Sequence, residues 1–123
     1  MQDPSNPVCR TISTLLSRIG DKWTVLVVQT LGEGSKRFNE LRREIPSVSQ
    51  RMLTLTLRNL ERDGLVNRTV TPSIPPRVDY ELTDLGRSLQ KPICGLANWA
   101  MEHVGEIHAA QARFDDEREA VAA

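Results

Sequence analysis

Apolar residues recur at helical spacing through most of this chain and alternate in one short stretch. Ile12, Leu15, Leu16 and Ile19 lie on one face of a helix predicted from about Cys9 or Arg10 to Ile19. Gly20 ends it, and Asp21 can cap the next helix. That second helix, about Lys22 to Leu31, carries Trp23, Leu26, Val27 and Thr30 on one side. Val25 and Val28 widen its apolar face, so it is expected to be the most buried. Gly32-Glu33-Gly34 breaks the chain. Lys36 to Phe38 reads as a very short strand. A third helix, about Asn39 to Glu44, turns Phe38, Leu41 and Ile45 inward, with Asn39 or Ser35 as its cap and Pro46 as its stop.

Ser49 is placed to cap a fourth helix that runs to about Asp63, where Gly64 can take the left-handed conformation that closes a helix. Val66 to Thr71 is rich in β-branched residues and reads as a strand. Pro72-Ser73-Ile74-Pro75-Pro76 forms a stiff turn, and Val78 to Leu82 the returning strand. Thr83 caps a last long helix, about Asp84 to His108, with Leu85, Leu89, Ile93, Leu96, Trp99, Ala100 and Val104 among its apolar positions. Pro92 falls inside that pattern and is expected to kink it. The first eight residues read as a loose arm, residues 9–108 as one domain, and 109–123 as a charged, alanine-rich tail that either frays or extends the last helix.

This order, with a short helix, a tight turn, a longer basic helix and then a hairpin, describes a winged helix-turn-helix. The fold class is mainly α with a small β-hairpin wing. On a helical wheel at about 100° per residue, Leu53, Thr56, Leu57 and Leu60 of the fourth helix cluster as a core face. Arg51, Thr54 and Arg58 stand opposite, flanked by Gln50 and Arg62. Arginine can bridge guanine O6 and N7, glutamine can pair with adenine, and threonine can touch a thymine methyl. The amides at Ser49 and Gln50 suit a phosphate. Arg77, beside Pro75 and Pro76, is held on a stiff hairpin and suits a minor groove or a phosphate. Lys36 and Arg37 are candidate phosphate contacts that position without reading sequence.

Charge sharpens this picture. The 123 residues sum to a formal charge of zero. Yet Lys36, Arg37, Arg42, Arg43, Arg51, Arg58, Arg62, Arg68 and Arg77 face only Glu40, Glu44, Glu61 and Asp63 in the same segment. That segment is therefore +5 (nine basic, four acidic) and the remainder −5. Polyanion binding follows the local field more than the total. The hydrophobic fraction of 39% builds a modest core and leaves apolar surface for a partner subunit.

No apolar stretch reaches the length of a membrane span, and the first ten residues have no leader-like apolar core, so the cytoplasm is the expected compartment. Cys9 and Cys94 make neither a CxxC motif nor a disulfide framework. Cys9, at a helix start beside Arg10, is a candidate sensor of oxidants or electrophiles. Cys94 reads as a small core or interface residue. His103 and His108 are five apart, which does not suit a metal, and no phosphate loop or nucleophile elbow occurs. Neither a cofactor nor an enzyme activity is expected.

Six blocks carry a family resemblance. They are Gly20-Asp21-Lys22-Trp23, Arg37-Phe38-Asn39-Glu40-Leu41-Arg42, Ser49-Gln50-Arg51-Met52-Leu53-Thr54, the run from Leu57 to Val66, Pro75-Pro76-Arg77-Val78-Asp79-Tyr80, and Leu82-Thr83-Asp84-Leu85-Gly86. Together they resemble the HxlR family of bacterial regulators, a MarR-like branch. The resemblance implies a homodimer built from the first and last helices on a pseudo-palindromic duplex operator, usually as a repressor. It places Ser49, Gln50, Arg51, Thr54 and Arg58 in the major groove and Arg77 in the wing. It also implies a sensing position at Cys9, although Arg10 follows where the family often has proline. Redox-sensing members often carry a second cysteine near the C-terminus, and here none follows Cys94. The alternatives are a winged-helix module that binds protein instead of DNA, and a protein whose main role is to bind a small ligand.

Overall fold

The computed structural model describes residues 6–122. Its elements are α1 (Pro7–Ile19), α2 (Lys22–Leu31), β1 (Lys36–Arg37), α3 (Phe38–Glu44), α4 (Gln50–Arg62), β2 (Val66–Thr71), β3 (Arg77–Leu82) and α5 (Asp84–Ala122). They fall into two units, one ending at Ile93 and one beginning at Cys94. Of the arm expected over residues 1–8, the first five positions lie outside the described residues. Pro7 and Val8 are already helical, because Pro7 has the backbone angle of a first helical turn and the Asn6 side chain accepts the Val8 N–H at 2.8 Å.

In the first unit, α2, α3 and α4 close around one apolar core. Val27, Val28 and Leu31 meet Leu41, Ile45 and Val48, and Leu53, Leu57 and Leu60 fill the space between. Leu65, Val66, Leu82 and Ile93 complete it. The buried face of α2 holds Thr24, while Leu26 is exposed. Burial of Thr24 is tolerated because its hydroxyl donates to the Asp21 carboxylate at 3.3 Å. α1 buries none of its residues, and Val8, Leu15 and Leu16 are exposed.

The sheet has the order β1-β3-β2, antiparallel throughout, so β3 is central. Val66 pairs with Leu82 at the base and Thr71 with Arg77 at the far end. Only the basal pair is buried, and every other position of both strands is at least partly exposed. The hairpin is thus anchored at one end, as a wing must be.

The junction of α4 and the wing is closely specified. Gly64 sits at φ 77°, a conformation glycine adopts without the penalty of a side chain. The Leu65 N–H donates to the Leu60 carbonyl at 2.9 Å and the Gly64 N–H to that of Glu61 at 3.1 Å. These two bonds form a Schellman closure, with Leu60 and Leu65 both in the core. Thr83 locks the far side. Its N–H donates to the Leu65 carbonyl at 3.0 Å, its hydroxyl donates to that of Gly64 at 2.7 Å, and the same oxygen accepts the Gly86 N–H at 3.0 Å. Gly86 is needed there, since a Cβ on it would stand 2.1 Å from the Leu65 carbonyl oxygen.

The last helix is longer than the pattern predicts. It continues through the tail to Ala122 because alanine, glutamate and arginine are good helix formers and nothing after His108 stops it. Pro92 lies within it without ending it. The second unit, residues 94–122, is helix alone. Cys94 is exposed, which removes the expectation of a core role. Among the described residues no helix is long and apolar enough to cross a membrane.

Candidate nucleic-acid interface

α4 presents the chemistry. Its buried residues are Leu53, Thr56, Leu57 and Leu60, so the core face is the one the wheel predicts. Gln50, Arg51, Thr54 and Arg58 are exposed and, with Leu55, line one shallow depression of about 550 Å³. Ser49 caps the helix, its hydroxyl oxygen accepting the Met52 N–H at 3.1 Å. That fixes the first turn, where the remaining backbone amides and the helix dipole favour an anion. The Thr54 hydroxyl donates to the Gln50 carbonyl at 2.8 Å. It therefore offers acceptor lone pairs and a methyl group, not a donor.

Leu55 is half exposed on this polar face, and sequence reasoning missed it. The signal was present, since an apolar residue about 150° from the centre of the core stripe has no packing reason to be there.

The wing and the start of α3 form a second surface. Arg37 lies opposite Asp79 in the β1–β3 register, and Arg77 lies two residues from Asp79 on the same strand, so all three share one face of the sheet. The Arg77 guanidinium donates through Nε to the Asp79 carboxylate at 2.9 Å, with half of the side chain left exposed. Arg37, Asn39, Arg43, Ser73 and Arg77 border an open cleft of about 890 Å³. Arg43 and Asn39 were not singled out from sequence. The cap of α3 is Arg37, not Asn39 or Ser35, and its N–H donates to the Glu40 carboxylate at 3.1 Å.

Lys36 is placed differently from its neighbour. Its ammonium lies 3.0 Å from Glu44 and 3.3 Å from Glu33, and its side chain is largely covered. The hydrogen bond to Glu44 raises its pKa above the ordinary 10.5, with burial opposing and Glu33 adding to the rise. Two carboxylates neutralise this charge, so Lys36 clips β1 to α3 and leaves Arg37 as the outward cation.

The remaining candidates lie on other helices. Cys9 is the third residue of α1, half-buried and a free thiol. His103 stacks on Trp99 with centroids 4.5 Å apart, and its Nδ1 lies 2.7 Å from the Trp99 carbonyl oxygen. Trp23 is half-buried against the core, with the Lys22 ammonium 4.5 Å over its ring. Arg18 of α1 pairs with Asp63 at the end of α4, both side chains mostly covered.

The HxlR-like helix-turn-helix family model matches residues 18–108. The "Uncharacterized HTH-type transcriptional regulator YdeP" of Bacillus subtilis is 43% identical over 101 residues, covering 82% of this chain and 79% of that protein. Among solved structures, the "Putative transcriptional regulator ytfH from Salmonella typhimurium" superposes with a TM-score of 0.74 at 35% identity, covering 81% of this chain and 89% of that one. The "Redoxregulator HypR in its reduced form" also reaches a TM-score of 0.74, at 40% identity, over 80% of this chain and 98% of that one. With the helix-turn-helix, the wing and most of the sequence matched together, this chain belongs to the HxlR-like helix-turn-helix family.

Proposed function

We propose that the chain is a transcriptional regulator that binds duplex DNA sequence-specifically as a homodimer, repressing from a pseudo-palindromic operator in the cytoplasm. The observation that carries this reading is the exposed face of α4, where Gln50, Arg51, Thr54, Leu55 and Arg58 lie together with no core role. In the reading, Arg51 and Arg58 contact base edges in the major groove, Ser49 and the first turn of α4 meet a phosphate, and Arg37, Arg43 and Arg77 track the backbone beside it. Lys36 acts through the position it gives Arg37. The apolar, unburied side of α1, together with α5, supplies the subunit contact.

The test is a gel shift on promoter DNA from the protein's own locus at two salt concentrations. Wild type should bind tightly and more weakly at higher salt, because phosphate neutralisation releases counterions. Arg51→Ala and Arg58→Ala should each cost about 1–3 kcal/mol and relax the sequence preference. Folded wild-type protein that finds no site in a genome-wide selection would point to the protein-binding module instead.

The signal is proposed to be an oxidant or electrophile acting at Cys9. Support comes from its half-buried thiol in α1 and from likeness to a protein described as a redox regulator. A response that survives Cys9→Ser would leave a reversible ligand as the effector.

A further inference from the structure

The second unit is one helix with an exposed apolar seam. Leu96, Ala100, His103, Ile107, Ala110, Phe114, Glu117 and Val121 follow one another at alternating intervals of four and three, the spacing of a two-helix coil. Six of the eight are apolar. Leu96, Phe114 and Val121 are more than half exposed, and Ile107 is 38% exposed. Gly95 and Gly105 fall off the seam. An exposed seam this long is poorly explained by solvent. The family model ends at residue 108, before Ala110, Phe114, Glu117 and Val121 of the seam.

We propose that residues 94–121 pair with the same segment of a second copy as an antiparallel two-helix coil, in one register held by Glu106 against the partner subunit's Arg113. The idea rests on the dimer reading above and adds direction and register to it. Charge decides between the arrangements. Glu106 and Arg113 occupy equivalent flanking positions, one residue before Ile107 and one before Phe114. Among the described residues neither makes an ion pair.

A parallel, in-register pair would set Arg113 beside the partner's Arg118 and give Glu106 only a glutamine. An antiparallel pair with Ile107 level with the partner's Ala110 sets Phe114 level with the partner's His103 and Val121 with the partner's Leu96. In that register Glu106 meets the partner's Arg113 twice, by symmetry. A slide of one heptad either way puts Glu106 on its own copy or Arg113 on its own copy, and both repel. The one layer that sets a charge in the seam, Glu117, falls opposite the small Ala100. There the carboxylate can reach past the seam into water.

The test is charge exchange in the full-length chain, read by native mass spectrometry and analytical ultracentrifugation. Glu106→Arg and Arg113→Glu should each weaken the homodimer about tenfold or more, since two attractive contacts become repulsive. Mixed, the two variants should form heterodimer well above the statistical half, and the double variant should dimerise like wild type. Variants that dimerise as wild type does and mix statistically would overturn the inference while leaving the homodimer standing. A wild-type chain that is monomeric would overturn both.

Discussion

Two glycines in the same helix should respond to alanine with opposite signs. At Gly86 a Cβ would lie 2.1 Å from the Leu65 carbonyl oxygen and 3.2 Å from Leu82 Cδ2. A carbon and a carbonyl oxygen cannot approach that closely, so the backbone must move by on the order of 1 Å, and overpacking of this kind costs about 1–3 kcal/mol. The Leu65 carbonyl also accepts the Thr83 N–H, and losing that bond adds about 1 kcal/mol. Alanine returns about 1 kcal/mol of helix propensity. Gly86→Ala should therefore lose about 1–3 kcal/mol net. At Gly105 nothing lies within 4 Å of the added Cβ, so only the propensity gain remains. Gly105→Ala should gain about 0.5–1 kcal/mol, read as added helical signal and a higher midpoint for the residues of the second unit. Urea titration followed by circular dichroism measures both. A Gly86→Ala protein as stable as wild type would refute the close-approach argument. A destabilised Gly105→Ala protein would show that the outer side of this helix is not open.

Two further outcomes follow from ion pairs. Removing Asp63 leaves Arg18 mostly covered and unpaired, so Asp63→Ala should cost about 1–2 kcal/mol, less than for a fully buried pair. A double-mutant cycle with Arg18→Ala that gives no coupling would show the pair to be incidental. Lys36 has a raised pKa, so its contribution to stability is fully present below the unfolded value of 10.5 and lost as pH rises through the folded value. The difference in Tm between wild type and Lys36→Met should stay level from about pH 7 to about pH 9 and shrink above about 10.5. A difference that is unchanged at the highest pH would mean the ammonium does not make these contacts in solution.

Sequence patterning revealed α4 because its information is local. An amphipathic stripe, a serine cap and a closing glycine all lie within sixteen residues, and the structure places Leu53, Thr56, Leu57 and Leu60 inside as the stripe requires. The hairpin was legible for the same reason, with its alternation and proline-rich turn. What stayed hidden depends on partners distant in the chain. Arg18 finds Asp63 forty-five residues away, and Lys36 is neutralised by a glutamate on the next helix. The short strand at Lys36–Arg37 was expected, but its pairing with β3, which makes the sheet three-stranded, was not, since no local pattern encodes it. The length of α5 stayed open because a charged, alanine-rich tail lacks the apolar rhythm that marks a buried helix, although its residues favour one. Leu26, expected on the inner side, is exposed and Thr24 is buried, because a helix apolar on several sides does not declare which face its neighbours will take.

The Thr83 lock at Gly64 and Leu65 has a bearing on how new specificities arise. It joins the end of α4, the foot of the wing and the start of α5 through backbone carbonyls, groups that every sequence possesses. The side chains that face outward on α4, and the exposed turn at Pro72–Pro76, take no part in it. A duplicated copy of this protein could therefore change those outward residues, or lengthen that turn, while the joint keeps the two surfaces in fixed relation. Inheritance of the joint, with drift confined to the surfaces, is a short route from one operator to another.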